Sequence, residues 1–140
     1  MPIGEDIPML IPTALVLVVF LVFVLSLFAS YSEQQDITKM SQNSLNIGSY
    51  VINSKFNAPL GQIDLNKLGT NFSYCKKLSE LNISSTYKIL VNISTSDKKW
   101  CWDNYYSISD AKISVSNNFP ILLINNTTTE FGLVKVSASK

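Results

Sequence analysis

The stretch Ile7 to Ala29, IPMLIPTALVLVVFLVFVLSLFA, decides the reading of this chain, because it carries no charged side chain and is apolar almost throughout. A hydrocarbon layer offers no water to satisfy backbone N–H and C=O groups, so a segment that crosses it must satisfy them internally, as a helix does. About 20 apolar residues rising 1.5 Å each cover a core roughly 30 Å thick, and this stretch is long enough to do so. A soluble protein of this size has too little other apolar mass to wrap a helix that is hydrophobic on every side. The segment therefore reads as a transmembrane helix over residues 7–30.

Upstream lie residues 1–6, MPIGED, a short leader or flank whose acids Glu5 and Asp6 stand just ahead of Pro8 and Pro12. Acids suit the positive end of a helix dipole, and proline is tolerated in a first turn, so this is a helix entrance, with the regular helix starting or kinking at Pro12. A cleaved secretory signal fits poorly: no Lys or Arg precedes the apolar run, and the run exceeds an ordinary signal core. The helix is expected to be retained.

Downstream, residues 31–56 place Ile37, Met40, Leu45, Ile47, Tyr50 and Val51 on a loose helical stripe that Gly48 interrupts. A helical extension with so narrow an apolar face must dock on the following domain, on a neighbouring subunit, or on both. Asn57, Ala58, Pro59 and Gly61 then supply a stop and a turn.

From residue 57 to 140 the hydrophobic period changes to two. Tyr87, Ile89, Val91 and Ile93 share one face of a strand, Ile113 and Val115 repeat the pattern, and Val134 and Val136 close it, with Pro120 marking a break before Ile121. Short strands between Asn-rich turns predict a small antiparallel sheet or sandwich, so the fold class is α+β: a long helix followed by a β-rich head.

Composition excludes much. Eleven Lys+Arg against 10 Asp+Glu leave a formal charge of +1, which argues against nucleic acid as a partner. The chain has neither Arg nor His, and so lacks the commonest general base, the commonest metal ligand and the bidentate phosphate fork. A hydrolase would have to draw its acids from Asp64, Asp97, Asp103 or Asp110, whose spacing forms no pair. No enzyme activity, metal or cofactor is expected.

The two cysteines, Cys75 and Cys101, lie beyond the anchor and are read as a disulfide, since a pair in a small exported domain is more often bonded than free. Around Cys101 cluster Trp100, Trp102, Tyr105 and Tyr106; in a strand both tryptophans face one way and the sulfur the other. That cluster either packs around the disulfide or forms a sugar- or partner-binding patch. Glycosylation sequons fall at Asn71, Asn82, Asn92, Asn125 and Asn126, all beyond the helix, with Asn92 on the outward face of its strand and Asn125 and Asn126 in a turn. With only Lys39 near the helix on that side, the charge bias across the membrane is slight, and the cysteines and sequons favour an extracellular head.

This layout resembles archaeal type IV pilin-like proteins. The matching pieces are Gly4 at the end of a very short leader, the acids Glu5 and Asp6, the apolar helix to Ala29, the extension to Phe56 and the head from Asn57. Family leaders carry Lys or Arg before the cleavage site, and Met1 to Ile3 carry none. The resemblance implies processing after Gly4, assembly involving Glu5 and Asp6, and a helix held first by membrane lipid and then by copies of itself or other pilin-like subunits. The alternative is a single-pass surface glycoprotein that does not polymerise and binds a protein or carbohydrate through its head.

Overall fold

The computed structural model describes residues 7–58, 61–70, 73–104 and 113–140, with side chains from residue 10 onward. The chain divides into two compact units, one ending at Asp36 and one running from Ile37 to Lys140.

The first unit is helix. Helix α1 (Ile7–Tyr50) begins there and runs through Pro12, which lacks the N–H that would otherwise bond the carbonyl of residue 8. Every large apolar side chain from Leu10 to Phe28 is 44–71% exposed, so the unit contains nothing that covers them. Ser26 turns its hydroxyl back onto the Val22 carbonyl at 2.9 Å, which leaves the apolar stretch without a free donor at that position.

The second unit is a sheet with a helix face laid on it. After α1 the chain widens into a π-helical turn (Val51–Lys55) and then forms β1 (Asn57–Ala58), β2 (Gln62–Asp64), a short helix α2 (Leu65–Leu68), β3 (Lys76–Lys77), a 3-10 turn (Leu78–Leu81), β4 (Lys88–Ser94), β5 (Lys99–Asp103), β6 (Ser114–Ile124) and β7 (Thr129–Ser139). These strands form one seven-stranded sheet in the order β1-β2-β6-β7-β4-β5-β3. The four long strands pair antiparallel, as the alternating pattern predicts, but β2 joins β6 and β3 joins β5 in parallel, so the sheet is mixed. The α+β class holds, with a single sheet as the head.

Alternation determines which side is buried. Ile89, Val91 and Ile93 of β4 and Val134, Val136 and Ala138 of β7 are 0–1% exposed on the inner face, with Trp100 and Trp102 of β5 beside them. Against this face lies the later part of α1 with the π-helical turn that follows it, where Met40, Ser44, Ile47 and, in the turn, Val51 are buried at helical spacing. Of the predicted stripe, Ile37, Leu45 and Tyr50 are instead exposed by 36–39%. Gly48 does not interrupt the helix. It lies in the buried seam, where a Cβ would stand 2.5 Å from Cζ of Phe119, so the missing side chain admits that ring against the helix.

Pro120 departs from expectation in the same way. It lies inside β6, opposite Leu133 of β7, and makes no break. Its missing N–H is tolerated because β2 pairs with β6 only at Leu123 and Ile124, leaving β6 one neighbour at the level of Pro120.

Polar groups enter the core in pairs. Asn117, on the inner face of β6, donates to Ser44 Oγ, and Ser44 donates in turn to the Ser41 carbonyl at 2.9 Å. The buried hydroxyl is thereby satisfied as donor and acceptor. At the far end of β5, Asn104 accepts from the Ile89 N–H at 2.7 Å and donates to the Tyr87 carbonyl at 2.9 Å, extending the β4–β5 pairing by one side chain.

Candidate functional site

Two features carry the functional reading: the uncovered apolar helix and the outer decoration of the head. The helix has a mean hydropathy of 2.9 over its most apolar window, none of which is buried. From Leu10 to Phe28 it spans about 28 Å at 1.5 Å per residue, so it is long and apolar enough to cross a membrane as a single pass. Gly4, Glu5 and Asp6, the residues expected at processing and assembly, lie outside the described residues.

Cys75 and Cys101 are bonded, with their Cα atoms 4.5 Å apart and a sequence separation of 26. The bond ties the segment leading into β3 to the middle of β5, the strand beside it. Trp100 and Trp102 do face the opposite way from Cys101 and are buried; Trp100 donates from Nε1 to the Gly69 carbonyl at 3.3 Å, and Trp102 stacks at a tilt on Phe56 with centroids 5.4 Å apart. Both indoles therefore belong to the core, which leaves them unavailable as a surface sugar platform. Tyr105 and Tyr106 lie outside the described residues.

The sequons differ in setting. Asn82 ends the 3-10 turn in a left-handed conformation, φ 58°, and is exposed. Asn125 and Asn126 are exposed at the tip of the β6–β7 hairpin, closed by the Asn125 N–H donating to the Thr128 carbonyl at 2.8 Å. Asn92 faces outward as its strand predicts, yet it is half-buried between Cys101 of β5 and Lys135 of β7, and its Oδ1 is buried without a hydrogen-bond partner. Asn71 lies outside the described residues.

Among the described residues the candidate acids do not converge. Asp64 caps α2 by accepting from the Asn66 N–H at 2.9 Å, Asp97 sits in the β4–β5 turn, Asp103 ends β5, and Asp110 lies outside the described residues. Among the described residues no three His, Cys, Asp or Glu side chains gather as a metal site. Sequence reasoning missed the role of Gly48 and the buried Ser44–Asn117 pair. The signal was present in the helical spacing of Met40, Ser44, Ile47, Gly48 and Val51, once small and polar residues are admitted to a seam.

Comparison with protein-family models, with curated proteins and with solved structures gives no match.

Proposed function

We propose that this chain is a non-enzymatic, membrane-anchored cell-surface protein of pilin type, a filament subunit or minor pilus component. The observation that carries this reading is helix α1. Its first part exposes apolar side chains on every side, while a seam further along the same helix forms part of the head's core. A helix so exposed needs lipid or other helices around it, and exchanging one for the other conserves most of the apolar burial. Membrane lipid holds the subunit before assembly, and copies of itself or other pilin-like subunits surround the helix afterwards. The disulfide and the exposed sequons at Asn82, Asn125 and Asn126 suit a head placed outside the cell, in an oxidising and glycosylating setting.

The test is fractionation of native cells, followed by determination of the chain's first residue. The proposal expects the full chain to stay in the membrane pellet through a carbonate wash until it enters a filament, and its mature form to begin at Glu5. Recovery of the full chain as a monomer in plain buffer would overturn it.

A further inference from the structure

Strand β6 is paired along its whole length on one side only. β7 accompanies it from Ser114 to Ile124, whereas on the other side β2 meets it only at Leu123 and Ile124. Hydrogen-bond parity shows which backbone groups are left over. The Lys140 N–H donates to the Ile113 carbonyl at 3.1 Å and the Asn125 N–H to the Thr128 carbonyl at 2.8 Å, so the odd-numbered residues of β6 exchange bonds with β7. Ser114, Ser116 and Asn118 therefore aim N–H and C=O away from β7, along an edge where no described strand pairs with them.

Sheet edges are ordinarily blunted by charge or proline. The β3 edge is two residues long and both are lysines, Lys76 and Lys77. The β6 edge carries no charge from Ser114 to Pro120, and the side chains of Ser114, Ser116 and Asn118 on the outer face are neutral and exposed. Its first blunting residue is Pro120, whose missing N–H lies on that same edge and bars pairing further along.

We infer that a second copy of this chain covers this edge, with β6 antiparallel to β6 about a two-fold axis through Ser116. A row of unpaired amides calls for an extended backbone, and among the described strands the longest free edge is that of β6 itself. The register is self-complementary: Ser116 faces its own counterpart, and Ser114 of each copy faces Asn118 of the other. Each of these pairs exchanges two backbone bonds through groups that both chains already aim outward. A charged side chain at the axis would oppose its own copy, and none stands there. Pro120 falls just past the last pair. The contact asks nothing of the apolar helix and so stands apart from the filament reading.

Sedimentation of the full chain in detergent over a range of concentrations tests this, and a monomer–dimer equilibrium is expected. Ser116→Pro removes an N–H aimed at the edge, leaves the β6–β7 bonds in place and deletes two bonds from the dimer. It should raise the dissociation constant at least about tenfold, with the fold retained by circular dichroism. Ser116→Lys, a change at an exposed position, sets two ammonium groups opposite each other and should weaken the dimer more at low salt than at high salt. Ser116→Cys should cross-link the two copies on mild oxidation, whereas Ser137→Cys, on β7 inside the sheet, should not. A chain that stays monomeric, a dimer unaffected by Ser116→Pro and Ser116→Lys, or no cross-link through Ser116→Cys would each overturn the inference.

Discussion

Gly48 of α1 and Phe119 of β6 are fitted to each other: a Cβ on the glycine would stand 3.0 Å from Cδ2 and 2.5 Å from Cζ of the ring. The ring occupies the space a side chain would take, and the close approach of helix to sheet depends on that vacancy.

Gly48→Ala is therefore expected to destabilise the head by about 1–3 kcal/mol, although alanine is the better helix former. Denaturant unfolding of the full chain in detergent measures this. Pairing the change with Phe119→Leu should recover part of the loss, whereas simple additivity of the two changes would show that the ring and the helix do not compete for space.

The β4 and β7 strands were legible because Ile89, Val91, Ile93, Val134 and Val136 alternate with polar residues over long enough runs. The long apolar helix was legible because no residue from Ile7 to Ala29 is charged. Gly48 and Pro120 misled for a shared reason: each is a local breaker whose penalty disappears in its tertiary setting, Gly48 under Phe119 and Pro120 on a stretch of β6 paired on one side only. The parallel pairing of β2 and β3 was not legible, since strands of three and two residues carry no period to read.

The helical extension forms part of the head's core, so the point of truncation matters. A chain beginning at Ile37 keeps Met40, Ile47, Val51 and Phe56 and is expected to fold without the apolar stretch. One beginning at Asn57 loses all four, at a cost of about 2–5 kcal/mol for each large buried side chain, more in sum than a small domain's whole stability of about 5–15 kcal/mol can absorb. Circular dichroism and size-exclusion chromatography of the two chains should show a cooperative monomer for the first and aggregate for the second.

Closing a loop between Cys75 and Cys101, 26 positions apart in sequence, stabilises the head by about 3 to 4 kcal/mol on the chain-entropy account. Cys75→Ser is expected to lower stability by that order, with the emission of Trp100 and Trp102 shifting to longer wavelength at lower denaturant concentration. Alkylation of both thiols in the native protein without prior reduction would contradict the bond.

Sequon occupancy should follow exposure. Glycans are expected at Asn82 and at the Asn125–Asn126 tip and absent from Asn92, where the side chain is wedged between neighbouring strands with Oδ1 buried. Glycopeptide mapping of the native protein checks this, and a fully occupied Asn92 would show that the glycan is attached before β5 and β7 close on either side of β4.

The central claim concerns what surrounds the apolar helix once the subunit has left lipid. Mass spectrometry of the filaments sheared from native cells tests it most directly. The account predicts this chain in that fraction, beginning at Glu5, with its Cys75–Cys101 bond intact. Sheared filaments without it, together with a membrane-bound chain still beginning at Met1 or Pro2, would contradict the filament reading and leave a solitary surface glycoprotein as the better description.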